Sequence, residues 1–169
     1  MKMGWRKTAK RWLARVQALW IVGLNRRAVL PEDISRLVSL VGPKILVIAY
    51  PPGLGDTLMV TPFLSALTAN FNQPELWVLA GGPTSEVLAR HPAVQGVIRY
   101  EDDWISKDNK RGPKKSSAER RALRNRLRRE RFDAVFDLLG NFKSARLAAS
   151  IRSPIRVGYS SGFEAFLTH

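Results

Sequence analysis

The chain has no cysteine, which removes disulfides, thiol nucleophiles and Cys-ligated metals from the candidate chemistries and fits a reducing cytoplasm. Histidine is almost as scarce. His91 and His169 are the two in 169 residues, too few for a His-based metal site or catalytic triad, and His91, followed by Pro92, reads as a solvated residue at a helix end. No uncharged apolar run is long enough to span a bilayer, because Lys44 interrupts the best candidate. Acidic residues are few: 14 Asp and Glu face 28 Lys and Arg, for a formal net charge of +14 and a pI near 11.1. That imbalance favours anionic partners. No segment repeats, and the length is ample for one core and short for two full domains.

The most informative stretch is residues 45 to 67, ILVIAYPPGLGDTLMVTPFLSAL. Five apolar residues between Lys44 and the Pro51-Pro52 breaker are too short for a helix and rich in β-branched side chains, so they predict a buried strand. Gly53 and Gly55 let the backbone turn sharply and approach a ligand closely. Asp56 then falls in the first turn of a helix, at the carboxyl end of a strand, where open α/β sheets place their chemistry. Two roles are open to it: a helix N-cap at the positive end of the dipole, or a general base that takes a proton from a hydroxyl.

The loop is a poor nucleotide fingerprint. A G-x-G-x-x-G motif would need glycine at Leu58, and Ala80-Gly81-Gly82 stands where an acidic residue would end the second strand. No G-x-x-x-x-G-K-[ST] motif occurs, and Asp56 would repel a phosphate at that helix start.

Strand candidates at Ile45–Tyr50, Leu76–Ala80, Gly96–Tyr100, Ala134–Leu138 and Arg156–Gly158 alternate with helical segments at Thr57–Asn70, Thr84–Arg90, Ser117–Arg131 and Lys143–Ser150. Alternation of this kind predicts an α/β domain with a mostly parallel sheet and right-handed crossovers.

Two basic blocks stand out, one before that pattern and one inside it. Residues 1–27 hold eight Lys or Arg, three Trp and no acid. On a helix, Trp5, Trp12, Leu13, Val16, Leu19 and Trp20 share one stripe, which predicts a basic amphipathic helix over residues 1–30 that lies on an anionic membrane surface or packs on protein. A signal-peptide core at residues 16–24 is disfavoured by the Asn25-Arg26-Arg27 that follows. The second block, Lys107 to Arg131, has a local balance of +9. It reads as an exposed loop followed by a helix that is a solvated face, or one attracted to anionic lipid and phosphorylated saccharide, or to a nucleic-acid backbone. The block has no interleaved aromatics for base stacking, and no helix-turn-helix, zinc-finger or RNA-binding signature appears, which argues against nucleic acid.

Three segments in order resemble family 9 glycosyltransferases, the ADP-heptose:lipopolysaccharide heptosyltransferases. They are the strand, G-L-G-D turn and T-x-x-x-T-P-F-L-x-A-L helix of residues 44 to 67, FDAVFDLLGNFKSARLA from Phe132 to Ala148, and RSPIRVGY from Arg152 to Tyr159. Members often carry Arg near the end of the first strand, where this chain has Ala49-Tyr50, and Gln or His where it has Leu139. The resemblance implies a GT-B enzyme of two Rossmann-like domains, of which residues 44–169 are the N-terminal, acceptor-binding one; the C-terminal donor domain would lie outside this sequence. It implies that Asp56 is the catalytic base, that Gly53, Gly55 and Thr57 shape its loop, and that Gly140, Asn141 and Lys143 line the opposing wall of the acceptor cleft. The implied reaction is inverting heptose transfer from an ADP-sugar to a lipid-anchored saccharide, with no metal or cofactor, on the cytoplasmic side and peripheral to the inner membrane. An isolated acceptor domain is not expected to transfer sugar efficiently, because catalysis depends on holding both reactants together. A structural remnant that only docks on membrane or partner is a further alternative.

Overall fold

The computed structural model describes residues 31–49, 54–82, 84–100, 115–158 and 167. The amphipathic helix expected over residues 1–30, Gly53 and residues 107–114 of the second basic block lie outside the described residues. The elements run α1 (Pro31–Ser39), β1 (Lys44–Ile48), α2 (Leu54–Asn70), β2 (Glu75–Ala80), α3 (Thr84–Ala89), β3 (Val94–Arg99), α4 (Ser117–Arg129), β4 (Ala134–Asp137), α5 (Phe142–Ile151) and β5 (Ile155–Gly158).

β1 shows why the sheet is parallel. Every residue from Ile45 to Ala49 is buried, on both faces, which only a sheet covered on both sides permits. The five strands pair in parallel in the order β3-β2-β1-β4-β5. Alternate β1 side chains feed two cores. Ile45 and Val47 pack with Leu37 of α1, Val60, Leu64 and Leu67 of α2, and Leu88 of α3. Leu46 and Ile48 pack with Leu123 and Leu127 of α4 and Leu147 and Ile151 of α5. The domain is therefore three-layered, with helices on both faces of the sheet, as the alternating pattern predicts. Among the described residues no helix is long and apolar enough to cross a membrane.

The amino edge of the sheet is tied together by Lys44. Its backbone N–H donates to Asp133 Oδ2 at 2.8 Å, its Nζ pairs with Glu130 at 2.6 Å, and the ammonium lies 5.2 Å from the centre of the Trp77 ring and 5.5 Å from that of Phe132. Next to this cluster, a Cβ at Gly96 on the edge strand β3 would stand 2.6 Å from Cζ3 of Trp77. That ring is held between strand and ammonium and has little room to give. Gly96→Ala should therefore lower stability by about 1–3 kcal/mol, as overpacking does; an unchanged thermal unfolding midpoint would show that the ring swings aside.

Two helix starts differ from expectation. α1 falls in a stretch given no element in the sequence reading, although Pro31 at the first helical position and an acidic first turn are start signals. α2 begins at Leu54, three residues before Thr57. Pro62 inside α2 has no N–H for the Leu58 carbonyl one turn back; Thr61 Oγ1 donates to that carbonyl instead, at 2.8 Å. The Thr-Pro pair thus carries its own repair, and the helix runs on to Asn70.

Candidate functional site

The chain leaves β1 at Ile48 and β4 at Asp137, and these two residues are in register on adjacent strands. From β1 the order runs outward through β2 to β3 on one side, and through β4 to β5 on the other. The β1/β4 boundary is therefore the point where the winding reverses, and the loops that leave it diverge to opposite faces. In open α/β sheets such a divergence makes a crevice at the carboxyl edge, the place where they bind ligands.

The first wall of that crevice is the start of α2. Asp56 is its third residue and is exposed. That corrects the N-cap role: a cap precedes the helix, and Asp56 is inside it. Its carboxylate stays within the first turn, at the positive end of the helix dipole, with no hydrogen bond or ion pair to another described side chain. Gly55 is helical and exposed, with nothing within 4 Å of where a Cβ would sit. It leaves space beside Asp56 and does not make the turn. Thr57 points the other way and is fully buried; it anchors the helix start to the core. Leu58 and Met59 are exposed at 55% and 79%, so the carboxylate stands beside an apolar shelf.

The second wall is the start of α5. Gly140 has φ +56°, a left-handed conformation that glycine adopts without strain. Asn141 is the N-cap: its Oδ1 accepts from the N–H of Lys143 at 2.9 Å and of Ser144 at 3.0 Å, and Ser144 Oγ accepts from the Asn141 N–H at 3.2 Å. Lys143 is half-buried in the first helical turn.

Beneath this wall lies Asp137, which the sequence reading did not single out. It is 1% exposed. Ser144 Oγ donates to its Oδ2 at 2.7 Å, and the N–H groups of Leu139 and Gly140 donate to its Oδ1 at 3.0 and 3.4 Å. Burial pushes its pKa above the ordinary 3.8, opposed by the hydrogen bonds from Ser144, Leu139 and Gly140. A Cβ at Gly158, its neighbour on β5, would stand 2.9 Å from Leu167 and 3.3 Å from Asp137 Cβ, so that side of Asp137 is closely packed. The signal was an acid ending an apolar strand with a serine seven residues on; its meaning depends on the strand's neighbours.

Residues 120–168 match the model of glycosyltransferase family 9 (heptosyltransferase). Over that segment the chain is similar to the family. The matched segment contains β4, the Gly140-Asn141 wall and β5.

Solved structures carry the likeness across the sheet. E. coli ADP-heptose lps heptosyltransferase II superposes with a TM-score of 0.59 at 29% identity, covering 73% of this chain and 33% of that one. E. coli heptosyltransferase WaaC with ADP-2-deoxy-2-fluoro heptose gives 0.56 at 24% identity, covering 75% and 40%. The family 9 glycosyl transferase from Veillonella parvula gives 0.54 at 22%, covering 72% and 33%. The last two show a shared fold. This chain spans about a third to two fifths of the length of the structures it matches. No curated protein matches it. The common structure is a family 9 heptosyltransferase-like fold.

Among the described residues no group of three or more His, Cys, Asp or Glu is placed to hold a metal.

Proposed function

We propose that this chain supplies the acceptor-binding side of an inverting glycosyltransferase that moves heptose, or a related sugar, from an ADP-sugar to a saccharide of the lipopolysaccharide inner core. The observation that carries the reading is the position of Asp56: an exposed carboxylate at a helix start, on one wall of the crevice where the sheet reverses, facing solvent beside open space.

In this mechanism an acceptor hydroxyl seats between the α2 and α5 starts. Asp56 removes its proton as the oxygen attacks the anomeric carbon of the donor. The bond from that carbon to the diphosphate oxygen breaks, and ADP departs with the bonding electrons. Attack from the face opposite the leaving group inverts the anomeric centre, and the proton ends on Asp56. Gly140, Asn141 and Lys143 contact the acceptor from the other wall, with the Lys143 ammonium suited to an anionic acceptor. No metal enters this scheme. The donor is bound by a second domain encoded outside these 169 residues, and the acceptor is lipid-anchored, so the chain works at the cytoplasmic face of the inner membrane.

The reading is tested by supplying labelled ADP-heptose and a heptose-deficient lipopolysaccharide to this chain, together with a polypeptide bearing the donor half. Label incorporated only when this chain is present supports it. No incorporation, together with no saturable binding of the acceptor by this chain, overturns it.

A further inference from the structure

The outer surface of the α4/α5 layer carries a seam of arginines that the transfer chemistry does not use. α4 buries Leu123 and Leu127 against the sheet. Arg121, Arg124 and Arg128 fall on a neighbouring stripe by the 3.6-residue repeat, and Arg146 comes up beside them from α5. Arg121, Arg128 and Arg146 are exposed and Arg124 is half-buried. Arg128 Nε donates to the Ser150 carbonyl of α5 at 2.6 Å, which fixes that guanidinium across the seam.

Among the described residues, the acids at the two ends of α4 are committed elsewhere. Glu119 pairs with Lys115 at 3.2 Å and closes the capping box with Ser116. Glu130, at the far end of α4, is held by Lys44. The pKa of Arg124 is lowered, first by burial and then by Arg146, Arg128 and Arg121, with Tyr100 acting the other way; no carboxylate of the described residues enters that balance. Like charges gathered together destabilise a free protein, and an external anion relieves them.

We infer that the Arg121, Arg124, Arg128 and Arg146 seam is a docking surface for a bilayer rich in anionic lipid. A bilayer fits better than a nucleic acid for two reasons on the structure. The exposed arginines lie on the solvent side of a helical layer, where sign and area count more than shape. Among the described residues, the rings Trp77, Tyr100 and Phe132 pack into the core beneath α4 and α5 and offer no platform for bases. The same layer carries the Gly140-Asn141 wall at the start of α5, so docking here would bring that wall toward the headgroups. This last consequence rests on the proposed function; the binding itself does not.

The test is sedimentation of the full chain with vesicles of phosphatidylcholine alone and of phosphatidylcholine with phosphatidylglycerol, at low and high salt. The result expected is binding to the anionic vesicles only, weakening steeply as salt rises, and falling on the order of a hundredfold in the triple variant Arg121→Ser, Arg124→Ser, Arg146→Ser, since each arginine near such a surface is worth roughly a fivefold change. Circular dichroism checks that the variant is folded. If it is not, arginine modification by phenylglyoxal on the wild-type chain decides: anionic vesicles should protect Arg121, Arg128 and Arg146. Unprotected arginines, equal binding to neutral vesicles, or a folded triple variant that binds like wild type would overturn the inference. So would tighter seam-dependent binding to a short RNA or DNA duplex than to anionic vesicles, which would reassign the surface to nucleic acid. None of these readouts involves sugar transfer, so they stand whether or not the proposed reaction does.

Discussion

Asp56→Asn should lower the turnover of heptose transfer by roughly 10²–10⁴-fold when the chain is assayed together with a donor-binding half. The magnitude is that of losing a positioned base: the amide keeps the size and shape of the carboxylate but cannot take the acceptor proton. The acceptor KM should change little, because an interaction needed only as the proton moves affects kcat and kcat/KM together. Stability should also change little. Asp56 is exposed, no other described side chain pairs with it, and its favourable place at the helix start is worth about 0.3–1 kcal/mol. An Asn variant with wild-type turnover would remove Asp56 from the mechanism. One with a raised KM and unchanged kcat would make it a binding group.

Much of the fold was legible because parallel strands covered on both faces read as unbroken apolar runs. Ile45–Ile48 and Leu76–Ala80 are such runs, and the expected strands agree with β1 and β2 to within two residues. α4 was legible from the other side, through Ala122, Leu123 and Leu127 expected toward the core of an otherwise charged segment: the two leucines are buried and Ala122 is exposed. Two starts were not. α1 buries Leu37 in a mostly polar stretch, so its periodicity is faint. The start of α2 was masked by Gly53 and Gly55, read as loop glycines, although a glycine in a first turn costs only about 1 kcal/mol. This shift moves Asp56 from the helix's edge to its third residue.

The site was legible in part, for a reason of scale. Gly140 and Asn141 sit in a turn whose residue types announce it, and Asp56 follows a Pro-Pro-Gly stretch that marks the end of a strand. That the strands before them are neighbours depends on β4 lying next to β1, a pairing across 89 residues from Lys44 to Asp133 that local pattern does not encode. The same pairing buries Asp137, and within the strand run that acid looks like any other residue facing a polar side. Arg156 is a parallel case: it is 6% exposed in β5, with Nη1 donating to the Ser153 carbonyl at 2.6 Å.

Asp137 carries the second large prediction, and two substitutions separate what its shape does from what its charge does. Asp137→Ala should destabilise the chain by about 2–4 kcal/mol, because Ser144 Oγ and the Leu139 and Gly140 N–H groups lose their acceptor in a buried position. The Gly140-Asn141 wall should loosen with it. Asp137→Asn keeps an oxygen for the two N–H groups, and its amide can donate to Ser144 Oγ, whose proton can turn to the Asn141 carbonyl it already meets at 3.0 Å. The charge then decides the sign. Burial raises the Asp137 pKa above 3.8, so the folded chain holds that proton more tightly than the unfolded one. The stabilisation from protonation is fully present below 3.8 and is lost as pH rises through the raised value. At neutral pH the wild type therefore bears the cost of a buried anion that the Asn variant does not. Urea unfolding should accordingly show Asp137→Asn comparing better with wild type at pH 7 than below pH 3.8. A stability difference that does not vary with pH would mean that the carboxylate is as well solvated folded as unfolded, and that the turn over it is held by geometry alone.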